Sequence, residues 1–196
     1  MRVISPEIAT DFKSSFLSCE KDQELIWKKL FVENRPYSDL IKRLLVINTP
    51  DCLDTTNVQY KDIISKYSVG RLRKEKYLRA VPRLGIEEFG DVRSYIILSF
   101  DDIVPNENPQ YRDGVISFTI ISHYDQWELD DYKLRPFQIA GYIDGILNNS
   151  KLTGIGKLEF MSASELPLNE HLGGVMLRYY ATHSIEADKN PNMLEE

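Results

Sequence analysis

The chain has 196 residues and a formal net charge of −6, with 42% hydrophobic and 28% charged residues. That length and balance support a folded domain with a sizeable core and exclude wholesale disorder. The acidic balance excludes nucleic-acid binding by the whole surface, and no apolar run approaches the ~20 residues that span a bilayer.

Taken in chain order, Ile8, Phe12, Phe16 and Leu17 share one helical face across Ile8 to Ser18. Asp22 then opens a second helix carrying Leu25, Ile26, Leu30 and Val32, with Trp27 beside them. The Asp22 carboxylate is expected to cap the free amides of its first turn. Asn34-Arg35-Pro36 stops that helix, and Ser38 caps the next, whose stripe is Leu40, Ile41, Leu44, Leu45 and Ile47. Residues 48–57 read as a loop. Val58 to Tyr67 forms a weaker helix with Tyr60, Ile63, Ile64 and Tyr67 on one side. Gly70, Pro82, Gly85 and Gly90 punctuate residues 70–91, which read as an irregular, basic arm.

Near residue 90 the period changes from helical to two. Arg93 to Asp101 sets Ile96, Leu98 and Phe100 against Tyr95, Ile97 and Ser99, a strand. Asp102 to Asp113 reads as a projecting loop, Gly114 to Tyr124 as the second strand, and Asp125 to Lys133 as a polar connection. Pro136 suits the first turn of a helix whose stripe is Ile139, Ala140, Ile143, Ile146 and Leu147. Gly154 to Ser162 is a third strand and Ala163 to Leu172 a second exposed loop. Gly173-Gly174 leads into the last strand, with Val175, Leu177, Tyr179 and Ala181 on one face. The pattern predicts an α+β fold: an antiparallel four-stranded sheet, in the order strand-strand-helix-strand-strand, packed against helices on one face. Residues 1–90 form a mostly helical N-terminal segment with the basic arm 70–91, residues 91–184 the α+β core, and residues 185–196 a flexible tail.

Catalysis needs ionisable groups that converge. His123, His171 and His183 have no metal-pair spacing, and Asp101-Asp102 and Asp130-Asp131 read as solvated loop acids. Gly154-Ile155-Gly156 lacks the third glycine of a dinucleotide fingerprint, and no Gly-x-Ser-x-Gly turn occurs. Cys19 and Cys52 read as two thiols in a reducing compartment, and the N-terminus lacks a signal-peptide core, so the chain is expected to stay where it is made. No catalytic, cofactor-binding or metal-binding residue is assigned and no enzyme activity is expected. His123 with Asp125 is the one place for a non-obvious active site. Arg135 is expected to cap its helix or to pair with Asp130 or Asp131.

The densest charge pattern is basic. Arg71, Arg73, Lys74, Lys76, Arg79 and Arg83 lie within thirteen residues, interleaved with Leu72, Tyr77 and Leu78. Six cations suit phosphate contact with a steep salt dependence, which makes residues 71–83 a candidate nucleic-acid-binding module. They equally suit the acidic surface of a neighbouring copy. A ring whose lumen carries DNA combines both uses.

Residues 93–183 resemble the tail terminators and related neck proteins of long-tailed bacteriophages. The likeness is one of layout: the strand Arg93–Phe100, a projecting loop, the strand GVISFTIISHYDQW, the helix LRPFQIAGYIDGILNN, the strand TGIGKLEFMSA and the closing strand GGVMLRYYATH. The resemblance implies a homo-oligomeric ring, commonly a hexamer, in the virion neck between head connector and tail tube, assembled in the host cytoplasm. It implies contacts with tail tube, sheath or connector proteins, DNA passing through the lumen without sequence specificity, and no membrane. The long first 90 residues leave room for another neck ring, a stopper or head-completion protein. Pro105, Asn106, Asn108, Pro109 and Tyr111 in one loop, and Leu166, Pro167 and Asn169 in the other, are the expected subunit or tube contacts. Deleting residues 103–112 is expected to leave a folded protein that fails to assemble.

Overall fold

The computed structural model describes residues 17–33, 35–80, 91–108, 111–152 and 155–184. Helix α1, Leu17–Lys28, runs into a π-helical turn, Lys29–Glu33. Asp22 therefore lies inside α1, where it is buried, rather than at a cap. Asp22, Ile26, Trp27, Leu30 and Phe31 form the inward stripe. Helix α2, Arg35–Val46, starts earlier than Ser38 because Pro36 fits the first turn, where a missing N–H costs nothing. The Ser38 hydroxyl instead donates to the Leu30 carbonyl and ties α2 to the π turn. Helix α3, Val58–Ser65, is capped by Asn57, whose Oδ1 accepts from Tyr60 N at 3.3 Å.

The segment read as an irregular arm begins with regular structure. Ser68 caps helix α4, Val69–Lys74, accepting from Arg71 N at 3.2 Å. Strand β1, Leu78–Arg79, follows and pairs parallel with β2, Ser94–Pro105, placing Leu78 opposite Ile96. Strand β3, Tyr111–His123, precedes two short 3-10 turns, Tyr124–Gln126 and Asp130–Tyr132, and helix α5, Arg135–Leu147. Strands β4, Lys151–Leu152, and β5, Gly156–Lys157, form a separate two-stranded ribbon. Strands β6, Glu159–Pro167, and β7, Leu172–Ser184, complete the main sheet in the order β1-β2-β3-β7-β6.

The sheet is thus five-stranded and mixed, which overturns the expected four-stranded antiparallel sheet. A two-residue strand has no alternation to read, and its parallel pairing is fixed only in three dimensions. The strand-loop boundaries also move. β2 extends to Pro105 through a bulge between Asp101 and Val104, and β6 extends to Pro167. Most of the two segments read as projecting loops is therefore strand.

Helices α1, α2 and α5 cover one face of the sheet. Ile26, Trp27, Leu44, Leu45, Ile139 and Ile143 pack there with Ile96, Leu98, Phe118, Ile120, Leu177 and Tyr179 in one buried cluster. Each such side chain contributes about 1.5–3 kcal/mol. An aromatic run crosses this layer: Trp27 to Phe118 at 6.4 Å, Phe118 to Tyr179 at 6.0 Å, and Tyr179 to Phe160 on β6 at 5.9 Å between centroids. On the opposite face Tyr95, Ile97, Ile121 and Leu172 form a smaller cluster.

Candidate interaction surfaces

The buried ionisable groups are used to hold elements together. Arg135 is fully buried at the start of α5, and its guanidinium donates to four main-chain carbonyls: Gln126 at 2.7 Å, Leu44 and Ile47 at 2.8 Å, and Thr49 at 3.0 Å. It closes the C-terminal end of α2 and pins it to α5, favoured by the helix dipole. It pairs with neither Asp130 nor Asp131, contrary to expectation. Burial lowers its pKa and pushes the adjacent Cys52 thiol up.

At the other end of the sheet, Asp22 Oδ2 lies 3.1 Å from Arg112 Nη2 and 2.7 Å from His183 Nδ1. All three residues are buried. This network ties α1 to β3 and β7, and Arg112 Nη2 also reaches Cys19 Sγ at 3.5 Å. A deletion of residues 103–112 removes Arg112 from a buried charge network, so the expected folded product does not follow.

His123 ends β3, buried. Its Nδ1 accepts from Asp125 N at 3.2 Å and so caps the 124–126 turn, while its ring stacks on His171 with centroids 5.8 Å apart. Among the described residues no three His, Cys, Asp or Glu side chains group as metal ligands.

The basic run is divided by the fold. Arg71 Nε pairs with Glu75 at 2.7 Å and its guanidinium lies 4.2 Å from the Tyr67 ring centroid. Lys76 adopts a left-handed φ of 65° after α4. Arg79, on β1, donates to the Lys76 carbonyl and lies 4.7 Å from the Tyr95 ring centroid. Arg73 and Lys74 are exposed on α4, whereas Arg83 lies outside the described residues. Leu72, Tyr77 and Leu78 are buried, which explains the interleaved pattern by packing.

The residues expected in loops are also divided. Pro105 ends β2 and Tyr111 opens β3, both exposed. Asn106 Nδ2 donates to Asp113 at 2.8 Å, and its Oδ1 accepts from Asn108 N at 2.9 Å, shaping the hairpin tip. Pro109 lies outside the described residues. Asn169 Oδ1 accepts from His171 N and Leu172 N, both at 2.8 Å, and so builds the β6–β7 turn.

Leu166 and Pro167 sit at the end of β6, where they line a groove of roughly 570 Å³ with Tyr124, Trp127, Leu134 and Phe137. Among the described residues, the charged ones lining it are Asp125, Glu128 and Glu165, all acidic. Tyr124 and Trp127 lie 4.9 Å apart between centroids, against Gly173 of β7. A Cβ at Gly173 would meet Tyr124 Cζ at 2.8 Å and Trp127 Cζ3 at 3.0 Å, so glycine there admits the aromatic pair. Gln126 Nε2 donates to Ser94 Oγ at 3.0 Å and anchors the 124–126 turn to β2.

β6 is the other exposed feature. Residues 159–165 are exposed, including Phe160 at 44% and Met161 at 49%, and among the described residues β7 is its only strand neighbour. Alternation in the sequence places Phe160 on a strand, but nothing local marks that strand as an edge.

The fold and these surfaces define an α+β sheet protein, covered by helices on one face and open along one edge. The model of the YomW family matches residues 38–181, and the chain belongs to that family. No curated protein matches it. Among solved structures, it is distantly similar to a chain of the virion of a native gene transfer agent particle. That match has 15% identity and a TM-score of 0.37, and covers 63% of this chain and 90% of that one.

Proposed function

We propose that the chain is a structural, non-catalytic subunit of a phage-type virion, forming a homo-oligomeric ring of the neck and serving as the tail terminator. The observation that carries this reading is β6: a nine-residue edge strand, exposed along most of its length, with an uncharged stretch Phe160–Ser164. A strand of that kind is a template for another chain unless an assembly covers it. The layout resemblance of residues 93–183 to neck proteins gives the assembly its class. A stopper or head-completion ring is the alternative within that class.

Light scattering tests it. The wild type should form species at multiples of 22.7 kDa, alone at high concentration or with tail tubes. The double variant S162K/S164K, which blunts the exposed strand, should stay monomeric with an unchanged circular dichroism spectrum. A wild type that remains monomeric under both conditions contradicts the proposal.

Exposed Arg73 and Lys74 favour a second reading, nucleic-acid contact through α4. It predicts DNA binding that weakens steeply with salt and is reduced by R73A/K74A. Binding that ignores that substitution excludes it.

A further inference from the structure

We propose that the acid-rimmed aromatic groove receives the basic face of α4 from a second copy of this chain, joining copies head to tail. This deepens the ring-subunit reading and rests on it. The charge is complementary: Asp125, Glu128 and Glu165 line the groove with no cation among the described lining residues, while Arg73 and Lys74 project from α4. Lys133, next in sequence to the lining residue Leu134, pairs with Asp131 at 3.3 Å. The groove lining includes Trp127 and Phe137, aromatic side chains on which a guanidinium can stack favourably. The chain already uses that contact internally, with Arg71 on Tyr67 and Arg79 on Tyr95.

Position sets the symmetry. α4 leads into β1 at one edge of the sheet, and the groove adjoins β6 at the other. Docked edge to edge, one copy's α4 fills its neighbour's groove and leaves the neighbour's own α4 and the first copy's groove free. The contact is therefore heterologous, and repeating it closes a ring or extends a filament. It also brings the next copy against the open β6.

Two charge-reversed variants test this. R73E/K74E makes both patches acidic, and E128K/E165K turns the groove basic. Each alone should associate about tenfold more weakly than wild type or worse. An equal mixture should recover assemblies in which native mass spectrometry finds both variants in equal number. Either variant assembling alone like wild type, or a mixture without recovery, overturns the head-to-tail contact while leaving the ring reading standing. A wild type that never assembles removes both. A check free of substitutions is carbodiimide cross-linking of mixed light and heavy isotope-labelled wild type. It should link Lys74 of one copy to Glu128 or Glu165 of another, and intermolecular links found only elsewhere overturn the proposal.

Discussion

The two edges of the sheet are built in opposite ways. β1 is two residues long, and Leu78 is 3% and Tyr77 8% exposed, so this edge belongs to the core. β6 is nine residues long, and all but Leu166 are exposed. A short sheltered edge offers a second chain little to pair with, whereas a long exposed one offers a row of backbone donors and acceptors. On the proposed reading, the β1 side contributes to the core and the open β6 supplies the strand edge for association. The same division separates the cations of α4 from the carboxylates of the groove.

The comparison breaks first if β7, which carries β6, is not locked into the sheet. A Cβ at Gly174 would lie 2.8 Å from the Ile120 carbonyl carbon and closer still to its oxygen. Gly174→Val should therefore cost more than ~4 kcal/mol or abolish folding, as measured by urea denaturation. Next in size, Leu78→Ala should cost about 2–5 kcal/mol in the same assay, although β1 has only two residues. A loss below ~1 kcal/mol would mean that β1 is not part of the core.

A smaller effect comes from Tyr179 on β7, whose hydroxyl donates to Asp144 Oδ1 at 2.8 Å. Burial first, then the hydrogen bond and charge of Asp144, raise its pKa above the ordinary 10.0. The folded state thus keeps the phenol neutral while the unfolded chain ionises. The stabilisation is complete below about 10 and is lost as pH rises through and beyond that value. Tyr179→Phe should lose about 1 kcal/mol at neutral pH and flatten the alkaline fall in stability. Smallest of all, S162K/S164K should change unfolding stability by less than ~0.5 kcal/mol while abolishing association.

Helix α5 and strands β2, β3 and β7 are legible in the sequence because their apolar residues recur at 3.6 or 2 over long runs. β1 is not, since Leu78-Arg79 is too short to show a period. In the sequence the ends of β2 and β6 read as loops because Pro105 and Pro167 are turn formers. Proline is tolerated there: β6 is an edge, and beyond its two paired residues β2 has no second strand neighbour among the described residues. In the sequence Asp22 reads as a cap, because its partners, Arg112 and His183, lie 90 and 161 residues away. Of the groove, Leu166 and Pro167 stand out in the sequence as members of the expected exposed loop 163–172. Trp127 and Phe137 carried no local signal, because aromatic residues serve cores and grooves alike.

Hydrogen exchange across residues 160–166, compared between dilute monomer and the largest species in solution, tests the covered edge most directly. Amides of β6 that point away from β7 should exchange rapidly in the monomer and become protected on association, while those of β1 stay unchanged. Equal exchange of the β6 amides in both states would contradict the account.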